Sequence, residues 1–227
     1  RKQATAEIDL PDMPDPELPT IHGTHNVVIT GVGGTGVVTI GAVMAMAAHI
    51  DGKGAGMMEM AGLAQKGGAV HIHCRIAEKP GDISAIRVAT GECDTLIGGD
   101  LVVSAGAKTL GLMKTGRTKG VVNSHEIVTG DFTLDPDFTL PTERMRLSVQ
   151  ARIWTGLVMF DASDLAQALM GDSIYSNMMI FGAAWQMGAI PLSYEAIIGA
   201  IELNGAAVNN NIRAFDLGRW AYLYPDD

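Results

Sequence analysis

The run Gly31–Gly36, which reads Gly-Val-Gly-Gly-Thr-Gly, is the segment whose residue types and spacing most clearly predict chemistry in this 227-residue chain. It has the spacing G-x-G-x-x-G, follows the apolar run Asn26–Thr30 and precedes an apolar segment from Thr35 to Ile50. A strand, a glycine loop and a helix in this order form a turn that can cradle a phosphate or a carboxylate. The backbone N–H groups at the helix N-terminus and the helix dipole attract the anion.

The glycines of this loop have separate predicted roles. Gly31 would allow the sharp turn, Gly33 would let a ligand approach the backbone, and Gly36 would let the helix pack closely on the strand. Gly34 shares the absence of a side chain, and Thr35 could donate its hydroxyl group. A loop that is rich in glycine only for packing is the alternative, because the motif is permissive.

A dinucleotide site is a second interpretation of the same spacing. It requires an acidic residue about 20 residues further along the chain, which binds a ribose. Glu59 lies near that distance. However, the loop Gln65–Gly68 follows soon after Glu59, where an ordinary dinucleotide-binding unit would continue into its second helix. This loop counts against a dinucleotide site. Lys66 in this loop could pair with a pyrophosphate or a carboxylate, and a solvated loop lysine is the alternative.

Polar residues follow two further predicted strands. Because ligands of open α/β sheets lie beyond the carboxyl ends of the strands, they could line one crevice. Asp100 could equally cap the next helix, and we assign no proton transfer to His125. The residues concerned are Asp100, Ser104, Asn123, Ser124 and His125.

His71 and His73 lie on one face of a predicted strand, Ala69–Ala77, in which Val70, Ile72, Cys74 and Ile76 form the other face. Paired histidines can bind zinc, but a zinc site needs three or four ligands. No further ligand is evident nearby, so we interpret this face as a polar face of the sheet and predict no metal site.

Composition and charge exclude several classes of function. The net charge of −9 disfavours nucleic acid as a partner. The two cysteines, Cys74 and Cys93, are too few for a disulfide framework and cannot alone ligate an iron–sulfur cluster. No signal peptide and no apolar run of about 18 residues is evident, so we expect a cytoplasmic protein that is not embedded in a membrane.

The order of elements predicts an α/β fold with three layers. Strands at 26–30, 56–60, 69–77, 95–100 and 119–123 alternate with helices at 35–50 and 101–113, which favours a Rossmann-like, mostly parallel sheet with helices on both faces. The C-terminal third is predicted to be helical, with helices at 162–170, 175–187, 193–203 and 205–222. Residues 1–24 are rich in proline and acids and indicate a linker or extended segment, whereas residues 25–227 form one domain.

Three motifs together resemble the γ-type domain of the 2-oxoacid:ferredoxin oxidoreductases. They are Gly31–Thr39, the segment Met58–Val70 that contains Gln65-Lys66-Gly67-Gly68, and the stretch Leu203–Val208 with Asn211–Gly218. The closest similarity is to the fused indolepyruvate ferredoxin oxidoreductase type. The resemblance covers most of the chain after residue 25, and the two glycine loops together are far more specific than either alone.

The resemblance implies a supporting domain of an enzyme that decarboxylates a 2-oxoacid on thiamine diphosphate and passes electrons through [4Fe-4S] clusters to ferredoxin. Other domains or subunits hold those cofactors, so the isolated chain is expected to be inactive, to bind no cofactor tightly and to form an oligomeric assembly. Coenzyme A or another phosphate ligand is a candidate for its loops. The candidate binding residues are Gly31, Gly33, Gly34, Thr35, Gly36, Gln65, Lys66 and Gly67. The alternative is a stand-alone nucleotide-binding, anion-binding or regulatory module that uses the Gly31–Gly36 loop.

Overall fold

A computed structural model describes residues 8–33, 35–61, 68–125 and 142–227. One six-stranded sheet runs through the described part of the chain. Its strands are β1 (Thr24–Val32), β2 (Gly54–Ala61), β3 (Ala69–Ala77), β4 (Thr95–Gly98), β5 (Lys119–Asn123) and β6 (Leu157–Phe160), in the spatial order β2-β3-β1-β4-β5-β6.

The sheet is mixed. The pairings of β1 with β4, β4 with β5 and β5 with β6 are parallel, whereas β3 is antiparallel to both β1 and β2. The predicted mostly parallel α/β sheet is therefore confirmed, with one reversed strand inserted between β1 and β2.

The helices of the described residues cover both faces of this sheet. They are α1 (Val37–Ile50), α2 (Leu101–Ser104), α3 (Ala107–Leu112), α4 (Thr142–Ile153), α5 (Ala162–Met170), α6 (Ser176–Gln186), α7 (Tyr194–Asn204) and α8 (Val208–Leu223). In one core, the helices α1, α5, α6, α7 and α8 pack against residues of the sheet such as Ile29, Ile72 and Val121. A smaller core on the opposite face joins α2 and α4 to Val28, Leu96 and Val122. These two cores give the three predicted layers.

Side-chain caps fix several of the predicted helix starts. Asp161 accepts a hydrogen bond from the N–H of Asp164 at the start of α5, and Ser193 accepts one from the N–H of Ala196 at the start of α7. Asp100 caps α2 in the same way, through Val103. Such caps satisfy N–H groups that have no partner within the helix.

Three sequence-based interpretations need correction. The helix predicted at 101–113 is divided into α2 and α3, because the chain is extended at Gly106. Helix α4 and strand β6 were not predicted, and residues 126–141 lie outside the described residues. Helix α1 is less buried than its composition suggests, since Val38 and Ile50 are exposed.

Strand β3 does not have a buried and a polar face, as its alternation predicts. His71 and His73 are as buried as the apolar residues between them. The reason is a second cover on the histidine face, to which α3 contributes Thr109 and the segment before β4 contributes Val88. A polar side chain can be buried at little cost when its hydrogen bonds are satisfied.

The segment before β1 lies against the C-terminal helices. The side-chain amide of Gln186 donates to the carbonyl of Pro14, and the guanidinium of Arg219 donates to the carbonyl of Met13. Ile21 is buried in the larger core. Within the described ranges, no helix has the length and apolar character needed to cross a membrane.

Candidate functional site

The glycine loop joins β1 to α1, as predicted, but its glycines act differently from the predicted roles. A side chain at Gly31 would collide with Val37 on the first turn of α1, so Gly31 is the residue that allows close helix–strand packing. Gly36 has a φ of 85° and is the N-cap residue of α1, so it is the residue that needs left-handed backbone. Gly34 lies outside the described residues.

The last residue of the second glycine motif, Gly68, lies beside the first glycine loop. The N–H of Gly33 donates to the carbonyl of Gly68 at 2.9 Å. Gln65, Lys66 and Gly67 lie outside the described residues. The candidate binding roles of these three residues and of the Gly31–Gly36 loop therefore stay predictions.

Thr35 is held within the loop and does not present a free hydroxyl donor. Its Oγ1 donates to the carbonyl of Val32 at 2.6 Å. Asn177 of α6 donates its side-chain amide to the Thr35 carbonyl at 2.5 Å. No side chain caps α1, so the first N–H groups of this helix are available to a ligand beside Gly36.

A cleft of about 380 Å³ opens beside the loop. We call it the glycine-loop cleft; its walls include Val32, Thr35, Asp100, Asn123, His125 and Asn177. Except for Asn177, which lies on α6, these residues lie at or just beyond the carboxyl ends of the parallel strands β1, β4 and β5, where ligands of α/β sheets bind. The predicted crevice is thus present.

Asn123 organises the far wall of the glycine-loop cleft. Its Oδ1 accepts from the N–H groups of His125 and Ala162, and its Nδ2 donates to the hydroxyl of Ser163 at 2.9 Å. One buried amide therefore ties the end of β5 to the start of α5. Such a fully bonded side chain holds the wall rigid and is a positioning residue rather than a reactive one.

Two residues predicted for this crevice do not line it. Ser104 is fully buried beneath the cleft, where its hydroxyl donates to the carbonyl of Asp100 and accepts from the hydroxyl of Thr30. Ser124 has its N–H bonded to the carbonyl of Phe160. Both stabilise the strand ends.

The cleft also contains residues that the sequence did not reveal. Ser163, Asp172, Ser173, Ile174, Ser176 and Asn177 approach from α5, the turn Ser173–Tyr175 and α6. Asn177 offered a signal, because it is a polar residue at the start of a mostly apolar helix. The others lie too far along the chain for spacing to indicate the contact.

A smaller cleft of about 210 Å³ shares Thr35 and Asn177 with the first and extends past Gly36 to Ala207 and Asn211. The C-terminal motif of the resemblance therefore converges on the glycine loop. Ala207 has a φ of 44°, a strained conformation for a residue with a side chain. Backbone strain of this kind is concentrated at functional sites.

The electrostatics of the glycine-loop cleft are not those of a simple anion site. Asp100 and Asp172 line it, and no lysine or arginine does so among the described residues. Asp172 accepts from the N–H of Ile174, so its carboxylate is partly neutralised by a backbone dipole. An anion in this cleft would therefore bind next to the N-terminus of α1 and not deeper between the carboxylates.

His125 stands at the mouth of the cleft and forms the group best suited to a cation. Its Nδ1 lies 3.0 Å from Oδ1 of Asp161 and 3.8 Å from Oδ1 of Asp164. Ligand atoms of these three residues lie within 4.8 Å of one another. Because Asp161 also caps α5, a hydrogen bond between His125 and Asp161 accounts for this geometry without a metal.

The two cysteines cannot supply redox chemistry. Both are free and fully buried, and burial raises the pKa of each thiol to about 12. A thiol is a nucleophile or a metal ligand only when it is ionised. These residues do not fit an iron–sulfur cluster, which needs four ligands and accessible thiolates.

The comparison with known families decides what kind of protein carries this site. Residues 26–221 match the family of pyruvate ferredoxin/flavodoxin oxidoreductases. The chain belongs to this family. The resemblance stated from the sequence is confirmed, and the chain is a component of an oxidoreductase complex that acts on 2-oxoacids.

Individual relatives of this oxidoreductase family extend the comparison. An indolepyruvate oxidoreductase subunit IorB from Thermococcus kodakarensis is 29% identical over 86% of this chain and 94% of its own length. The γ subunit of a keto/oxoacid ferredoxin oxidoreductase from Geobacter sulfurreducens has the same fold, with a TM-score of 0.62, 23% identity, and coverage of 88% of this chain and 98% of its own.

A larger member shows the same fold as part of a longer chain. The 2-oxoglutarate:ferredoxin oxidoreductase from Magnetococcus marinus, solved with 2-oxoglutarate, coenzyme A and succinyl-CoA bound, has a TM-score of 0.61 and 17% identity. The match covers 88% of this oxidoreductase component but 31% of that chain. The same unit therefore occurs both as a separate subunit and within a longer polypeptide.

Proposed function

We propose that this chain is the γ-type component of an oxidoreductase that acts on indolepyruvate or another aryl or branched 2-oxoacid. The observation that carries the proposal is the family match over residues 26–221, together with relatives named indolepyruvate oxidoreductase subunit IorB from archaea such as Thermococcus kodakarensis and Archaeoglobus fulgidus. The parent enzyme decarboxylates the 2-oxoacid and transfers the electrons to ferredoxin. The chain works in the cytoplasm within an oligomeric assembly.

We infer that other domains or subunits of the complex hold the cofactors that carry out the reaction. The chain has two cysteines, both buried with pKa values near 12, so [4Fe-4S] clusters must be held elsewhere. No Gly-Asp-Gly motif for thiamine diphosphate occurs in the sequence. These observations support a chain that completes the assembly and shapes a ligand entrance, and that is inactive when isolated.

We assign to the glycine-loop cleft the role of accepting part of a phosphate-bearing ligand such as coenzyme A. The free N–H groups of α1 beside Gly36 offer a place for one anionic group. The amide and hydroxyl groups of Asn177, Ser163 and Ser173 suit the uncharged polar part of such a ligand. Asp100 and Asp172 oppose a densely charged group deep in the cleft.

A dinucleotide dehydrogenase is disfavoured by the topology. Its ribose-binding acid lies at the end of a strand that is parallel to β1 and adjacent to it. Here β3 separates β2 from β1, and the exposed Glu59 lies on the edge strand β2.

Co-purification tests the proposed function. The natural protein that carries this sequence is tagged in its source and isolated anaerobically, and its partners are identified by mass spectrometry. We expect domains or subunits with a Gly-Asp-Gly thiamine diphosphate motif and clustered cysteines, and absorption near 400 nm from iron–sulfur clusters. Isolation of the chain without any such polypeptide, accompanied by tight binding of an adenine nucleotide, would contradict the proposal and favour a stand-alone nucleotide-binding module.

A further inference from the structure

A second cleft, of about 260 Å³, lies on the opposite face of the sheet from α1, between β3 and α3. We call it the basic cleft; its lining includes His71, His73, Arg87, Thr90 and Lys108. It shares no lining residue with the glycine-loop cleft. Among the described residues that line it, only Met60 lies in a sequence motif by which the family was recognised.

Two permanent cations converge on this cleft. Arg87 and Lys108 are both exposed, and within the described part of the chain neither forms an ion pair with a carboxylate. No Asp or Glu lines the cleft among the described residues. In a chain of net charge −9, two cations without a partner in one concave site form a local positive potential.

Glu59 does not neutralise the basic cleft. It pairs with Ile72 of β3, whereas His71 and His73 pair with Met60 and Met58. Paired residues of adjacent strands point to the same face of a sheet, so Glu59 points to the α1 face. The acid nearest in sequence is therefore on the wrong side of the sheet.

The side chain of His73 turns a hydrogen-bond donor towards the cleft. His73 is 3% exposed, and its Nδ1 accepts a hydrogen bond from the N–H of Val88 at 3.0 Å. A neutral imidazole that accepts at Nδ1 carries its proton on Nε2. No described residue accepts from this N–H. Because no fully buried side-chain nitrogen or oxygen lacks a partner among the described residues, Nε2 of His73 reaches the cleft and is open to a ligand.

A hydrogen bond to Thr109 fixes the ring of His71. The Thr109 hydroxyl donates to the carbonyl of Val103, so its contact of 3.1 Å with Nε2 of His71 requires the ring to donate. Burial, with Lys108 nearby, lowers the pKa of His71. Burial, with His71 and Arg87 nearby, lowers the pKa of His73 to about 4. The cationic side chains are thus close enough to act on both rings.

We propose that the basic cleft is an anion site that binds a phosphoryl group, separate from the glycine-loop cleft. Arg87 supplies a planar fork of donors, Lys108 a compact charge, His73 an Nε2–H that faces the cleft and Thr90 a hydroxyl. A phosphoryl group accepts from several directions at once and matches this donor set better than a single carboxylate. The proposal goes beyond the proposed function and does not depend on it.

Calorimetric titration of the full chain with inorganic pyrophosphate at low salt tests the site. We expect saturable binding with one equivalent. Arg87→Gln and Lys108→Gln should each weaken it by about tenfold or more, because charge-assisted hydrogen bonds are lost. Both side chains are exposed, so the variants should fold.

Matched controls remove the same charge elsewhere. Arg146→Gln and Lys79→Gln, at exposed positions outside the cleft, should change the affinity by less than about twofold, since long-range effects of one surface charge are largely screened. Gly36→Ala, which alters the glycine loop, should leave unchanged the pyrophosphate binding that depends on Arg87 and Lys108.

A spectroscopic measurement on the protein without substitutions tests the contact with His73 directly. Nitrogen-15 spectra of the histidine rings should show a change at Nε2 of His73 when pyrophosphate is added. A parallel titration with ADP distinguishes the source of the group: binding tighter than that of pyrophosphate points to a phosphate carried by a nucleotide, and equal or weaker binding points to a free phosphate. Absence of saturable binding, equal loss in the Arg146 and Lys79 variants, or loss in Gly36→Ala alone would overturn the proposal.

Discussion

The side-chain amide of Asn177 donates to the carbonyl of Thr35 at 2.5 Å and so joins the first turn of α6 to the glycine loop. The two residues are 142 positions apart in the sequence. Asn177 is 6% exposed, and its Oδ1 lies where a side chain at Gly99 would be placed. One buried amide thus holds the glycine loop, the end of β4 and α6 in register.

Replacing Asn177 by Ala should destabilise the protein. The substitution leaves the Thr35 carbonyl without its donor and opens a small cavity, so we expect the free energy of unfolding to fall by about 1–3 kcal/mol. Urea denaturation followed by circular dichroism measures the change. Asn209→Ala, at an exposed position of α8, is the control and should change the stability by less than about 0.5 kcal/mol. Equal effects in the two variants would show that the contact does not fix the loop.

The packing of α6 on α8 depends on two glycines. A side chain at Gly182 would collide with the backbone carbonyl of Phe215, and one at Gly218 with that of Met179. We expect Gly182→Ala to cost about 3 kcal/mol or to prevent folding, because the helices must move apart. Thermal unfolding measures this effect.

Gly199→Ala on α7 is the matched control for the α6–α8 contact. Its new methyl group would lie 3.4 Å from Ile50, an ordinary contact. Since alanine favours the helix, this variant should be neutral or more stable by up to about 1 kcal/mol. A Gly182→Ala protein as stable as Gly199→Ala would contradict the described packing.

Much of this fold is readable from local pattern. The run from β1 through the glycine loop to α1, the strand β3 and the caps Asp161 and Ser193 are each specified by residues close together in the sequence. Here the apolar period, the glycines and the capping side chains all agree, which makes the local prediction reliable.

The parts that escaped prediction depend on distant partners. β6 has four residues and forms by pairing with β5, so its own sequence is too short to distinguish it. His71 and His73 resemble a polar face until Thr109 and Val88 are known to cover them. Within the site, Asn177 could be singled out as a buried polar residue, but its partner Thr35 could not be inferred.

Stability should decrease in mild acid because of His73. Burial, with His71 and Arg87 nearby, lowers its pKa from 6.5 to about 4, so the unfolded chain binds more protons than the folded chain between these two values. The free energy of unfolding therefore rises with pH in this window. The contribution is fully present above pH 6.5 and is lost as the pH falls towards 4. We expect a loss on the order of 2 kcal/mol from this residue.

The variant His73→Asn isolates the effect. Asparagine keeps an acceptor near the N–H of Val88 but does not titrate, so the loss of stability between pH 7 and pH 4.5 should be smaller than in the original protein. Urea denaturation at a series of pH values measures it. His25, whose pKa is also lowered chiefly by burial, remains in both proteins and cancels in the comparison. Identical pH profiles would show that His73 titrates normally.

The central claim is that the chain completes an oxidoreductase for an aryl or branched 2-oxoacid. Its most direct test is anaerobic, 2-oxoacid-dependent reduction of methyl viologen by the complex isolated through a tag on the natural protein, with indolepyruvate, pyruvate and 2-oxoglutarate compared as substrates in the presence of coenzyme A. We expect reduction that depends on the 2-oxoacid, is fastest with indolepyruvate and disappears when the complex lacks this chain. A complex that reduces the dye with none of the three substrates, or equally well without this chain, would contradict it.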